Sequence, residues 1–114
     1  MCETFGLGLS MHSNSHLGIS LMAMSHLAAA VPNLTYACDT HYPWQDDEVL
    51  KGGKIAITGG CVTVTDAPGL GIEIDQDALA ALHAQYLHCG ITNRDDVSQM
   101  RKFRPDWTRK KPRY

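Results

Sequence analysis

The sequence lacks a closely spaced pair of cysteines. Its four cysteines are far apart and irregularly spaced, which argues against a zinc site of the CxxC type and against a dithiol redox motif. They are Cys2, Cys38, Cys61 and Cys89. We interpret them as reduced thiols in apolar surroundings, as is usual in a cytoplasmic protein.

A long uninterrupted apolar run is also missing. The longest apolar stretch, around residues 17–31, is broken by Ser20, Ser25 and His26, and at about fifteen residues it is too short to span a bilayer. No segment combines the basic start, apolar middle and small-residue cleavage site of a secretory signal. These absences predict a soluble protein that has no membrane partner.

Charge of one sign is not in excess over the whole chain. The net charge of -2 creates no field that would attract nucleic acid, so no nucleic-acid partner is predicted. Seven of the ten Lys and Arg residues lie in the final segment RKFRPDWTRKKPRY. Such a basic tail could bind phosphate, but a solvated or docked terminus is the interpretation that we favour.

The first forty residues have the pattern of a βαβ unit. FGLGLSM, residues 5–11, predicts a buried strand, and LTYACDTH, residues 34–41, predicts a second. Between them, apolar residues recur every three or four positions over residues 16–31, which predicts a helix that is apolar nearly all round and lies between layers. Such a unit places its two strands parallel in one sheet.

Polar residues follow both predicted strands. HSNSH, residues 12–16, follows the first strand, and Asp39, Thr40 and His41 close the second. Ser and Asn are common helix caps, so capping of the helix is one interpretation of this turn. An active site is the other, because ligands of α/β folds bind at the carboxyl ends of parallel strands. We expect His12 to lie near Asp39 and His41.

The rest of the chain predicts a hairpin and two helices. KIAITGGCVTVT has two alternating runs around Gly59 and Gly60, which is a hairpin signal. Residues 76–89 predict a helix that Asp75 caps and Gly90 ends, and residues 95–101 predict a short helix. The acidic run 46–48 is interpreted as a solvated loop rather than a metal site. The predicted buried stripe of the first of these helices is Leu79, Leu82, His83 and Tyr86.

We divide the chain into three segments. Residues 1–42 hold the βαβ unit, residues 43–75 the loop and hairpin, and residues 76–114 the later helices and the basic tail. A sheet of two parallel strands would leave most of its edges and the apolar helix uncovered. The sequence therefore predicts the end of a larger fold.

The sequence resembles the glucarate dehydratase family, in the mandelate racemase branch of the enolase superfamily. The resemblance is carried by four segments in this order: HSNSH, YACDTHYPWQ, PGLGIEID and GITNRDD. The likeness runs from about residue 2 to residue 108, and HSNxH with DTH is specific within that superfamily, whereas PGLG is shared widely. The resemblance implies an α/β fold, the C-terminal portion of a TIM-like (β/α)8 barrel. Residues 5–11 would be strand seven, 16–31 its helix and 34–40 strand eight. This last βαβ unit with its hairpin and C-terminal helices would be an incomplete barrel.

The reaction that the resemblance implies is removal of water from an acid sugar, D-glucarate, by a carbon-oxygen lyase. It begins with loss of the proton α to a carboxylate, and the resulting enediolate requires stabilisation by Mg²⁺. Histidine suits a base that works near neutral pH. His12 matches the catalytic histidine of the family. It would take the proton and return it to the departing hydroxyl.

Other positions match residues of the family that bind the substrate. Asn14, with Ser13 beside it, and His41 match substrate contacts. Arg94 matches a residue that can pair with a substrate carboxylate, for which its planar fork is suited. Asp39 shares a strand face with His41, and we assign it a supporting hydrogen bond.

No metal ligand is predicted within this chain. The Mg²⁺ ligands of the family, its second base, a lysine, and the aspartate that orients its catalytic histidine correspond to positions before Met1. A zinc site made of His12, His16 and Asp39 is disfavoured because an HExxH glutamate is missing, and we interpret His16 as structural. We expect little dehydratase activity from the chain alone. Its predicted partners are an N-terminal barrel and cap portion and, once complete, further copies in a homo-oligomer.

Two alternatives stay open. The chain could be a non-catalytic half-barrel fragment or interaction module whose apolar faces bind a complementary half-barrel. It could also belong to a dehydratase for a related acid sugar such as galactarate. An upstream reading frame with a Lys-x-Lys strand and three metal ligands would favour an enzyme, and a true stop there would favour the interaction module.

Overall fold

The computed structural model describes residues 1–93 and 95–110. The chain forms two compact units, Met1–Leu82 and His83–Tyr114. Within the described ranges, no helix is both long enough and apolar enough to cross a membrane.

The first unit is built on a parallel strand pair, as the sequence predicted. Strand β1 (His12–Ser13) lies beside strand β2 (Asp39–Thr40), with His12 opposite Asp39 and Ser13 opposite Thr40. A parallel bridge between Leu9 and Leu34 extends the contact backwards along both segments. Backbone hydrogen bonds from Tyr36 N to Leu9 O, 3.1 Å, and from Asp39 N to Met11 O, 3.0 Å, join the bridge to the strands.

The first predicted strand, residues 5–11, keeps only the bridge at Leu9, because the segment before Leu9 is coiled rather than extended. Strand β1 itself lies in the predicted polar turn, and β2 occupies two of the eight predicted residues 34–41. Phe5 N donates to Met1 O and Leu7 N donates to Cys2 O, so the first seven residues fold into consecutive turns. Gly6 has a φ of +65°, which side-chain-bearing residues rarely adopt, and this conformation is incompatible with a strand. The prediction of a strand over residues 5–11 was therefore wrong in its bounds. The predicted parallel pairing of the two segments is confirmed.

Helix α1 (Gly18–Ala30) connects the two strands and begins two residues later than predicted. Leu17 is extended, with φ −92° and ψ 177°, and acts as the N-cap without a side-chain hydrogen bond. The serine and asparagine residues of the preceding turn therefore do not cap this helix, and that interpretation was wrong. Val31 is extended again, and Pro32 follows it, so the helix ends where the sequence indicated.

The buried core of this unit is small. It consists of Leu21 and Met22 from α1 together with Tyr42, Val49 and Leu50 from the segment after β2. Apart from the buried Gly18, the rest of α1 is half-buried or exposed in this structure, and the apolar Leu27 is among the exposed residues. The all-round apolar helix therefore packs against the described chain on one face only, and its expected second layer is not formed by these residues.

The segment after β2 is irregular and is fixed by a few backbone pairs. It begins with a 3₁₀ turn, Tyr42–Trp44. Thr58 and Cys61 exchange two backbone hydrogen bonds of 3.0 Å around Gly59 and Gly60, both with positive φ. This confirms a tight hairpin turn, although the alternating runs on either side of it do not form regular strands.

Helix α2 (Gln76–Cys89) has the predicted bounds. Asp75 Oδ1 accepts hydrogen bonds from Asp77 N and Ala78 N, and Gly90 follows the helix with a φ of +62°. The predicted buried stripe was wrong, because α2 has no buried residue and Leu79 and Tyr86 are exposed. Of this stripe, Leu82 is half-buried, and the described residues leave the other three exposed.

The second unit contains helix α3 (Asp96–Arg101). Asp95 is its N-cap and accepts a hydrogen bond of 3.1 Å from Ser98 N, which confirms the short helix expected from the sequence. Hydrogen bonds to Ser98 and neighbouring backbone groups lower the pKa of Asp95. The three-segment division of the chain stays a prediction.

Candidate active site

The two polar clusters that follow the predicted strands meet in the structure. The parallel register sets His12 directly opposite Asp39, and His12 Nδ1 lies 2.6 Å from Asp39 Oδ1. The two side chains are 55% and 69% exposed. An ion pair or hydrogen bond at such an exposed place adds little to stability.

The carboxylate of Asp39 determines which ring nitrogen of His12 carries the proton. An ionised carboxylate only accepts hydrogen bonds, so Nδ1 of the neutral ring must be the donor in this pair. The other nitrogen, Nε2, then holds the free lone pair. His12 is therefore arranged to accept a proton at Nε2, on an exposed side chain.

The ring of His41 contacts the ring of His12. His41 follows β2 directly, and its ring centroid is 5.7 Å from that of His12 with an interplanar angle of 82°. Trp44, at the end of the 3₁₀ turn, has its ring centroid 4.9 Å from that of His41. The His41 ring is thus in contact with two other rings, those of His12 and Trp44. Sequence reasoning singled out the two histidines and missed Trp44.

Ser13 and Asn14 occupy different environments. Ser13 is only 5% exposed, and its hydroxyl donates to Thr40 Oγ1 over 2.7 Å, which joins β1 to β2 through side chains. Asn14 is exposed and follows β1 immediately. The side chain of Asn14 is therefore accessible to a ligand. The side chain of Ser13 is not, because its hydroxyl is used in the hydrogen bond to Thr40.

His16 differs from His12 in its burial. It is half-buried, and its Nε2 atom is inaccessible to solvent and has no hydrogen-bond partner among residues 1–93 and 95–110. Burial lowers the pKa of His16. No three His, Cys, Asp or Glu side chains of the described chain are grouped so that they could hold a metal ion, whether zinc or magnesium.

The sequence did not reveal the role of one half-buried carboxylate, that of Glu48. Glu48 accepts a hydrogen bond from the Tyr42 hydroxyl, and both of its oxygens accept from Gly18 N, at 3.1 and 3.2 Å. Glu48 therefore accepts the hydrogen bond of the first backbone N–H of α1, which the apolar side chain of Leu17 cannot do. Its negative charge is also stabilising there, because the N-terminus of a helix carries a partial positive charge. Only Asp46 and Asp47 fit the interpretation of residues 46–48 as a solvated loop.

The Tyr42 hydroxyl is held on two sides. It donates to Glu48 and accepts a hydrogen bond of 2.9 Å from Ile55 N. Burial, and then the neighbouring carboxylate, raise the pKa of Tyr42 to about 12. The sequence carries no local signal for this network, because the serine and asparagine residues before α1 resemble ordinary helix caps.

The structure thus brings together His12, Asp39 and His41, with Asn14 exposed next to them. Arg94, the predicted carboxylate-binding residue, lies outside the described residues.

Comparison with known proteins gives consistent matches. Residues 1–78 match the model of the family described as enolase C-terminal domain-like. A probable glucarate dehydratase from Streptomyces coelicolor is 54% identical over 109 residues, which are 94% of this chain and 25% of that protein.

Solved structures of related enzymes have the same fold. An enolase from Pseudomonas fluorescens, with bound magnesium, potassium and tartrate, is 70% identical and superposes with a TM-score of 0.88, covering 100% of this chain and 27% of that one. An enolase from Gibberella zeae, complexed with magnesium, formate and sulfate, is 55% identical with a TM-score of 0.83, covering 99% and 27%. The chain thus spans about a quarter of the length of the relatives that it matches.

Proposed function

This chain belongs to the enolase C-terminal domain-like family, and we propose that it is the C-terminal part of a dehydratase that removes water from an acid sugar, D-glucarate. The observation that carries the proposal is the pair of His12 and Asp39 at the ends of two parallel strands, with Nδ1 and Oδ1 2.6 Å apart. The fold is the last portion of an enolase-superfamily barrel, left open in this chain. The 54% identity to a probable glucarate dehydratase supports the choice of substrate.

His12 performs the proton transfers in this proposal. Its Nε2 atom takes the proton α to a substrate carboxylate, while Asp39 supports the ring through its hydrogen bond with Nδ1. The imidazolium that forms then gives the proton to the hydroxyl that leaves from the neighbouring carbon, so that water departs and a carbon-carbon double bond remains. One histidine thus serves first as the base and then as the acid.

The neighbouring side chains bind and orient the substrate. His41 lies beside His12 and can hydrogen-bond a substrate hydroxyl or carboxylate, and Asn14 and the backbone of Ser13 contact the substrate from the end of β1. Arg94 pairs with a carboxylate. An acid sugar with a carboxylate at each end offers acceptors to all of these donors.

The described residues do not fit a magnesium site on their own, because no three acidic or histidine side chains are grouped to hold one. Relatives from Pseudomonas fluorescens and Gibberella zeae bind magnesium. We therefore place the Mg²⁺ ligands and the second base of the proposed enzyme in an N-terminal barrel and cap portion that this chain does not contribute. On its own, the chain should be inactive.

The test is dehydration of D-glucarate in the presence of Mg²⁺. The chain is assayed alone and after co-expression with the N-terminal barrel and cap portion of the Pseudomonas fluorescens relative, and complex formation is checked by size exclusion. The proposal expects the keto-deoxy sugar acid only from the assembled pair. An assembled pair that leaves D-glucarate unchanged would contradict it.

A further inference from the structure

We infer that Trp44 is a positioning residue, whose indole holds the His41 imidazole in the orientation that meets the substrate. The inference rests on the proposed function, because it concerns the role of His41 there. The two ring centroids lie 4.9 Å apart and the ring planes make an angle of 36°. Aromatic rings attract one another at such separations.

The backbone explains why the indole lies over the imidazole. Trp44 N donates to His41 O over 3.0 Å, which closes one 3₁₀ turn. In a 3₁₀ turn, side chains three residues apart lie above one another. The ring contact is therefore a direct consequence of the turn that follows β2.

The turn itself is anchored on both sides of Pro43. Tyr42 is only 1% exposed, and its hydroxyl is held by Glu48 and Ile55. The Lys54 ammonium donates to Pro43 O over 3.2 Å and also to Gln45 O. The backbone that carries Trp44 is thus fixed before any ligand binds.

Within the described residues, Trp44 does not belong to the buried core, because its side chain is 75% exposed. Its indole is therefore available for the contact with His41, and its removal leaves the buried core of this chain intact.

The His41 ring also contacts the ring of His12, which meets it edge to face with 5.7 Å between centroids. Fixing a side chain before binding removes part of the entropy that the ligand would otherwise have to overcome. Loss of the indole should therefore raise KM for D-glucarate about threefold to tenfold. The kcat should stay within about twofold, because His41 binds the substrate and does not transfer the proton.

The contact is tested by NMR in the assembled pair, with isotope-labelled histidine in this chain only. The chain has six histidines, so few signals are present and each can be assigned by substitution. The indole ring current should shift the His41 ring protons upfield, and Trp44→Leu should abolish that shift. Trp44→Phe should retain part of it, and the exposed His88 serves as an internal reference. Unmoved His41 signals in Trp44→Leu would overturn the inference.

Kinetics of the same assemblies separate the inference from the proposed function. We expect a raised KM in Trp44→Leu, a nearly normal KM in Trp44→Phe, and a similar kcat in both. An active assembly whose KM is unchanged by Trp44→Leu would overturn the inference and leave the dehydratase assignment intact. A wild-type assembly that does not dehydrate D-glucarate would overturn both.

Discussion

Tyr42→Phe is the substitution that tests how the turn beside the candidate site is held. It keeps the buried ring and removes only the hydroxyl, so no large cavity forms. That hydroxyl donates to Glu48 and accepts a hydrogen bond of 2.9 Å from Ile55 N. Both partners therefore lose a bond in the variant.

The expected loss in the free energy of unfolding is about 2–3 kcal/mol. A hydrogen bond to a charged group contributes about 1.5–3 kcal/mol and one between neutral groups about 1 kcal/mol. The lower part of the first range applies, because Glu48 keeps its hydrogen bonds from Gly18 N and Val49 N. The raised pKa of Tyr42 has burial as its first cause and the hydrogen bond to Glu48 as its second, so it indicates the pH range of the effect and not its size.

The sign of this pKa change fixes the pH dependence. Because the pKa of Tyr42 is higher in the folded chain than in the unfolded chain, its contribution to stability is complete below pH 10. It is lost progressively as the pH rises to about 12. The stability difference between wild type and Tyr42→Phe should shrink over the same interval.

The assay is urea unfolding followed by far-ultraviolet circular dichroism, at about pH 8 and again at about pH 11.5. At the lower pH the urea midpoint of Tyr42→Phe should fall by about 1 M or more. Tyr36→Phe is the matched control, because the Tyr36 ring is 64% exposed. Equal midpoints for the two variants, or a difference that does not change with pH, would refute the reasoning.

Three further predictions concern packing, capping and substrate binding. Gly18→Ala should destabilise the chain by about 1–3 kcal/mol in urea unfolding, because the new Cβ would lie 2.4 Å from Leu50 Cδ1 and 2.7 Å from Glu48 Oε2; an unchanged midpoint would contradict this close approach. Asp75→Ala should cost about 1 kcal/mol and reduce the helical signal of α2, whereas Asp75→Asn, which keeps the acceptor oxygen, should cost less. Arg94→Ala in the assembled pair should raise KM for D-glucarate with a smaller effect on kcat, and unchanged kinetics would remove Arg94 from the proposed site.

The secondary structure was predictable where local signals are strong. The period of apolar residues in α1, the Asp75 cap and Gly90 at the end of α2, and the Gly59-Gly60 turn all act within a few residues, and each is present. The extent of the strands was not predictable in the same way. The apolar run 5–11 reads as a strand by composition, yet the turns made by the first seven residues compete with pairing.

The burial of α2 was mispredicted for a related reason. An apolar stripe on a helix indicates that this face packs against another apolar surface. It does not indicate that the same chain provides that surface. In this structure the described residues leave Leu79 41% and Tyr86 59% exposed. The chain spans about a quarter of its relatives, and the periodicity of a segment carries no information about such neighbours.

The site was partly predictable from topology. Parallel pairing of two strands that end in polar residues was enough to expect that His12, Asp39 and His41 lie together, and they do. The contacts of Glu48 and Trp44 were not foreseen. Glu48 reaches the start of α1 from thirty positions later in the chain, and Trp44 depends on one 3₁₀ turn, so neither contact leaves a pattern in composition or spacing.

The central claim is that His12 transfers the proton during dehydration. Its most direct test compares His12→Asn with His88→Asn, an exposed histidine on α2, in the chain assembled with the N-terminal barrel and cap portion. With Mg²⁺ and D-glucarate, His12→Asn should lose turnover by at least about a hundredfold while the complex stays intact, and His88→Asn should retain it. Wild-type turnover by an intact His12→Asn complex would contradict the account.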